Sequence, residues 1–154
     1  MTTKQVTAKY GEPNITGDGY LETLILPYPM RLAWDTEHKT SRIRCHKLIV
    51  PNMTAALADV LSAYGYDRIV ELGIDLYGGV FNYRKKRGGS TMSMHAWGLA
   101  IDLDPSHNQL KWGRDKARFA KDEYKPLLEA FYKNGFINLG VEKNYDWMHF
   151  EIKS

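Results

Sequence analysis

The chain has 154 residues, 44% of them apolar and 25% charged, and 21 Lys and Arg against 18 Asp and Glu leave a formal charge of +3. That length suits one domain burying roughly 70% of the surface its unfolded form would expose, and no stretch approaches the about 18 consecutive apolar residues of a membrane span. The expectation is a soluble single domain without membrane insertion, whose mild charge does not by itself choose an anionic partner.

The first ten residues lack the apolar stretch of a secretory signal, which predicts synthesis and initial retention in the cytoplasm. Residues 1 to 20 are polar and turn-rich, with Gly11, Pro13, Gly17 and Gly19, and read as an arm or a set of irregular turns. Leu24 to Trp34 is apolar and β-leaning but is broken by Pro27 and Pro29, which predicts extended or edge structure rather than a central strand. Arg42 to Val50 reads as another short strand. Cys45 is the only cysteine, so it forms no intramolecular disulfide and reads as a small buried hydrophobe.

From Asn52, a candidate cap, the residues Met53, Ala56, Leu57, Val60, Leu61 and Tyr64 recur at three- and four-residue steps up to Gly65, predicting an amphipathic helix. Arg68 to Leu76 reads as a strand, and Gly78-Gly79 as a turn into Val80–Arg84. The basic run Arg84 to Arg87 reads as a solvated loop, or as an attachment patch for an anionic polymer. The Gly- and Ser-rich loop that continues to Thr91 lacks the Gly-Lys-Ser/Thr ending of a phosphate-binding loop, so a nucleotide site is not expected. Phe119 to Asn134 predicts a second helix, with Pro126 in its first turn and Gly135 ending it. Phe136–Gly140 and Trp147–Ile152 read as closing strands. The mixed order predicts an α+β fold, a small domain with a central antiparallel sheet flanked by helices.

The chemistry concentrates in two segments, Ser93 to Asp104 and Tyr145 to Glu151. If Leu99–Leu103 is a strand, Leu99, Ile101 and Leu103 share a core face, and Asp102 stands on the other beside the small Ala100. Gly98 lets the chain fold back so that His95 approaches Asp102. In the last strand Met148, Phe150 and Ile152 face inward, while Trp147, His149 and Glu151 face the other way. Neighbouring strands would then bring Asp102 and His149 together. Two imidazoles and a carboxylate, with a fourth position left to water, form the ligand set of a catalytic zinc site. Such an ion makes a hydroxide nucleophile available near neutral pH.

Asp146 lies three residues before His149, so it can act as the base only from a turn entering that strand; Glu142 and Glu151 are the other nearby acids. One histidine near a strand end is more often a structural residue than a ligand, and it is the combination that points to a metal. His38, His46 and His107 lack such a setting and read as surface or supporting residues. Asp104, before Pro105, reads as a strand-ending or supporting carboxylate.

Ser93-x-His95-x-x-Gly98-x-Ala100-x-Asp102 followed by Asp146-x-x-His149-Phe-Glu151 resembles the VanY-like zinc D,D-carboxypeptidase and L-alanyl-D-glutamate endopeptidase family, which includes phage endolysins. The resemblance extends through Leu26-Pro-Tyr-Pro and Tyr83-Arg84 to Asn134-Gly135-Phe136. It implies a Hedgehog/DD-peptidase-like α+β fold, with His95, Asp102 and His149 as ligands of Zn2+ and Asp146 as the general base. It further implies that Arg84 holds a substrate carboxylate or the oxyanion, and that Ser93 supports the site by hydrogen bonding. It divides the chain into an N-terminal arm, residues 1–23, and a zinc peptidase domain, residues 24–154.

The partner so implied is a peptidoglycan stem peptide, cut at the L-Ala-D-Glu bond or at a terminal D-Ala by a monomer that reaches the cell wall after release from the cytoplasm. Nucleic acid is not the expected partner. Many relatives carry a Trp-Gly-Gly-like segment where this chain has Ile137-Asn-Leu-Gly140. The alternative reading is a catalytically silent zinc-containing module that binds the cell wall.

Overall fold

The computed structural model describes residues 1–153. The chain opens with helix α1 (Thr3–Tyr10), followed by a long hairpin of β1 (Leu21–Leu32) and β2 (Asp35–His46). Helices α2 (Val50–Tyr64) and α3 (Tyr66–Leu72) lead to β3 (Leu76–Gly79) and β4 (Ala100–Leu103). Helix α4 (Lys125–Lys133), β5 (Phe136–Asn138), α5 (Leu139–Lys143) and β6 (His149–Ile152) complete the α+β domain. The six strands form one sheet in the order β2-β1-β3-β4-β6-β5. Its pairs are antiparallel except β1 with β3, which are parallel, so the sheet is mixed rather than purely antiparallel.

Helix α2 crosses β1 and packs on α4, closing the core over one face of the sheet. Its buried side is Met53, Ala56, Leu57 and Val60, the expected stripe. The helix starts two residues before Asn52, with Pro51 in the first turn, where a missing N–H costs no helical bond. Asn52 is therefore no cap; its Nδ2 donates to Asn134 O at the end of α4. In α4 the expected Pro126 does lie in the first turn, but the helix begins at Lys125, and short 3₁₀ turns occupy Arg118–Ala120 and Asp122–Tyr124. Tyr132 of α4 points outward, although it follows the buried Ala130 and Phe131.

Five local readings change. Residues 3–10, expected to be irregular, form α1 because Thr2 and Gln5 build a capping box and Val6 and Tyr10 are buried one turn apart. β1 is interior rather than at an edge. Its pairing with β2 slips between Ile25 and Met30, so Pro27 and Pro29 sit in the bulge where no ladder bond is required of them. Arg68–Leu72 is helical rather than extended, since burying Ile69 and Leu72 at a three-residue step outweighs the β preference of Ile69-Val70. Gly73, at φ 75°, ends that helix. Gly78 and Gly79 belong to β3 instead of a turn, and residues 139–143 turn helical after a strand of three residues.

The lower core is aromatic: Phe131 lies 4.5 Å from Phe150 and 5.2 Å from Phe136 between ring centroids, all three essentially without exposure. Cys45 is buried, as a small hydrophobe would be. Among the described residues no single helix is long and apolar enough to cross a membrane. Because Phe131 joins α4 to the back of β6, Phe131→Ala is expected to lower stability by about 3–5 kcal/mol in denaturant unfolding. A loss below about 1 kcal/mol would mean that the cluster does not hold helix to sheet.

Candidate metal centre and active-site cleft

β4 and β6 pair with Asp102 directly opposite His149. Their backs, Ile101, Leu103, Phe150 and Ile152, fill the core. The expected alternation therefore holds within both strands but fails just before β6. Trp147 is buried rather than outward, packed so tightly on Gly140 that an added Cβ would lie 2.0 Å from its ring, and Met148 lines the cleft.

His95 comes from a 3₁₀ turn, Met94–Trp97, capped by Ser93, whose Oγ accepts from His95 N, and closed by Gly98 at φ 70°. The imidazole is oriented from behind: its Nδ1 donates to Val80 O at 2.7 Å, leaving Nε2 as the lone-pair nitrogen facing the cleft. His149 is oriented the other way round. Its Nε2 donates to Glu151 Oε1 at 2.8 Å, so Nδ1 faces Asp102. Sequence reasoning had Glu151 only as a nearby acid, although period two in β6 already put it on the same face as His149. The role of the Val80 carbonyl has no side-chain signal at all.

His95 Nε2 lies 3.2 Å from Asp102 Oδ2, and His149 Nδ1 lies 3.3 Å from Asp102 Oδ1. Yet His95 Nε2 and Asp102 Oδ1 are buried with no hydrogen-bond partner among the described residues. Close polar atoms that do not bond each other are aimed at a common point. A tetrahedron with metal–ligand bonds of about 2.0–2.1 Å has edges of about 3.3 Å. The ligand atoms of His95, Asp102 and His149 all fall within 4.8 Å of one another, so the three residues fit a metal ion.

Asp146 occupies the turn before β6 at φ 56°, its backbone oxygen accepting from His149 N. Its Oδ2 lies 3.9 Å from His149 Nδ1, on the cleft side of the ligand cluster. Arg84 lines the same cleft, with Nε buried and unpartnered. The cleft encloses about 1050 Å³, and its walls also carry Ser93, Lys86, Arg87, Lys111 and Lys143. The basic run is thus in part a cleft wall and not only a solvated loop.

Asp104 is not among the converging side chains. It ends β4 in the left-handed region and is held by His107 Nδ1 at 2.7 Å and by Arg118. Glu142 is exposed and His38 lies on the surface, whereas His46 is fully buried away from the cleft.

Residues 87–152 match the family model described as D-alanyl-D-alanine carboxypeptidase. The matched region is less than half of the chain; it contains His95, Asp102, Asp146 and His149 but not Arg84, and it supports a peptidase. Neither comparison with curated proteins nor comparison with solved structures found a match.

Without a metal the cluster stores charge. Burial by itself raises the Asp102 carboxyl, but the imidazoles of His95 and His149 outweigh it and hold the group well below the usual carboxylate range. Burial by itself lowers His149, but the Asp102 and Glu151 carboxylates outweigh that and push it up to about 10. Burial raises Asp146, and the Asp102 charge adds to this while His149 opposes it. His149, raised in the fold, stabilises the metal-free chain below its ordinary value of 6.5, a contribution lost as pH rises through about 10. Asp102, depressed in the fold, contributes above 3.8 and loses that contribution as pH falls.

A metal ion must displace the His149 proton. Zinc affinity measured by chelator competition is therefore expected to rise about tenfold per pH unit between about pH 7 and 9, with one proton released per ion. A flat profile would show that His149 is not the proton-bearing ligand. Glu151→Gln is expected to weaken zinc binding by about tenfold or more, as removal of a carboxylate behind a ligating imidazole does. Unchanged affinity would remove Glu151 from the site.

Proposed function

We propose that this chain is a zinc-dependent peptidase that hydrolyses peptidoglycan stem peptides, at the L-Ala-D-Glu bond or at a terminal D-Ala. The observation that carries the reading is the convergence of His95 Nε2, Asp102 and His149 Nδ1, two of whose atoms are buried and unpartnered, at the floor of a cleft that also holds Asp146. Two imidazoles and one carboxylate with an open side are the ligand set of catalytic rather than structural zinc. Held there, zinc supplies Lewis acidity toward a carbonyl and a water-derived nucleophile at neutral pH.

The remaining work falls to the chain's own groups. Asp146 sits beside the cluster with a carboxyl raised by burial, which brings its proton affinity closer to the pH at which it must accept and return a proton. Its carboxylate takes the proton of the attacking water and delivers it to the departing amine. Arg84, with a buried nitrogen free to donate, holds a substrate carboxylate or the oxyanion that forms at the attacked carbonyl. Glu151 and the Val80 carbonyl keep the two imidazoles in fixed tautomers.

The cationic walls, Lys86, Arg87, Lys111 and Lys143, suit a peptide rich in carboxylates. The likeness to endolysins extends the proposal to a phage lysis enzyme acting on the wall after release.

Zinc-loaded protein mixed with defined muropeptides is expected to yield one new amine end, located by mass analysis, that disappears on chelation and returns with zinc. Asp146→Asn is expected to reduce turnover at least about 100-fold while zinc content stays at one per chain. Zinc binding with no cleavage of any stem peptide would sink the peptidase reading in favour of a silent wall-binding module.

A further inference from the structure

The turn that carries His95 is held from behind by residues far away in sequence. Tyr20 Oη donates to Ala96 O at 2.8 Å, Trp97 Nε1 donates to Gly11 O at 2.8 Å, and His46 N donates to Gly98 O at 2.9 Å. Three consecutive residues after His95 are thus each tied to the first third of the chain, and Gly11, Tyr20 and His46 all lie outside the 87–152 region of the family match.

These contacts are close, and those to Ala96 and Gly98 are buried. A Cβ on Gly98 would stand 2.9 Å from His46 N and 2.6 Å from Leu21 Cδ2, so the end of β2 reaches the turn only because residue 98 is glycine. The supporting segment is itself rigid. His46, 1% exposed, accepts from Leu48 N at Nδ1, which leaves its Nε2–H to donate to Tyr10 O at the end of α1. The Tyr20 ring stacks on His46 with centroids 5.6 Å apart and meets Phe81 edge-on at 6.4 Å.

Phe81 follows Val80, whose carbonyl orients the His95 ring, and Asn82 N donates to His95 O at 3.1 Å. His95 is therefore held by residues 80–82, at its ring by Val80 O and at its carbonyl by Asn82 N, while the three residues after it are held by the N-terminal segments, with Tyr20 touching both sets.

We propose that Gly11, Tyr20 and His46 form a positioning clamp for the His95 ligand, through which residues 1–46 set metal affinity instead of serving as a passive arm. The proposal rests on the reading of His95, Asp102 and His149 as a metal centre. A ligand atom must be held to a few tenths of an ångström to meet the other two. Hydrogen bonds that fix a ligand's orientation are worth about 10- to 100-fold in metal affinity. By contrast, one lost hydrogen bond in a domain of this size shifts the melting temperature by only about 2–4 °C.

Tyr20→Phe and Trp97→Phe each keep an aromatic ring and delete one bond to the turn; the first also removes the contacts of the Tyr20 hydroxyl with Asn14, and the second leaves a smaller ring in a fully buried site. Zinc affinity by chelator competition and the melting temperature of the metal-free chain are measured for both. Tyr28→Phe is the control, since the Tyr28 hydroxyl is buried without a partner and far from the turn in sequence.

The clamp predicts about tenfold weaker zinc binding in Tyr20→Phe and Trp97→Phe and wild-type zinc affinity in Tyr28→Phe, with the metal-free melting temperature of Tyr20→Phe within about 4 °C of wild type and that of Trp97→Phe lower because its smaller ring leaves a cavity. Wild-type zinc affinity in Tyr20→Phe would overturn it, whatever happens to the melting temperature, and that variant decides alone if Trp97→Phe fails to fold. A wild-type chain that takes up no zinc would instead overturn the metal-centre reading and the clamp with it.

Discussion

The structure turns on the register between β4 and β6, which sets Asp102 opposite His149. Antiparallel partners on one face stand within about 5.5 Å, close enough for their side chains to meet one ion. A slip of one residue would move Asp102 or His149 to the core face and drive Ile101 or Phe150 into the cleft. The apolar backs of the strands therefore enforce the geometry of the polar fronts. Burying a carboxylate and two imidazoles in this way is costly unless each charge finds a partner. In the metal-free chain the Asp102 carboxylate is balanced by the protonated His149 imidazole, and a metal ion would take the place of that proton.

Around that pair, each additional group is supplied by a local break in regular structure. His95 rides on a single capped 3₁₀ turn ended by a left-handed glycine, and Asp146 on a turn whose own backbone is left-handed. A regular strand could not have offered Asp146 and His149 to the same cleft, because residues three apart point to opposite faces. The irregular backbone is what brings the Asp146 carboxylate and the His149 imidazole together. It is held in place by buried contacts: Asp146 N bonded to Leu110 O, Trp147 packed on Gly140, and Asn138 Nδ2 donating to Trp147 O.

Much of the fold was legible where the signal is local and periodic. The alternation of Leu99 to Leu103, the stripe from Met53 to Val60 and the position of Pro126 all reflect which face of a short element meets apolar neighbours. The errors have equally specific causes. Seven residues of α3 are too few for a helical period to stand out against Ile69-Val70, and the prolines of β1 mark a bulge that exists only relative to β2. For α1 the Thr2–Gln5 capping box lies in a polar, turn-rich stretch whose composition hides a helix of eight residues.

The residue types, the spacing of His95 to Asp102 and of Asp146 to His149, and the alternation that keeps one strand face apolar are all readable along the chain. Those are properties of neighbouring residues and of the backbone period, which any copy of the segment carries. How these groups are aimed depends on contacts between distant segments. The tautomers of the two imidazoles depend on Val80 O and Glu151, the partial burial of Asp102 on the cleft around it, and the seat of the His95 turn on Gly11, Tyr20 and His46. Such contacts join atoms up to 86 positions apart, and they exist only once the core has brought those segments together.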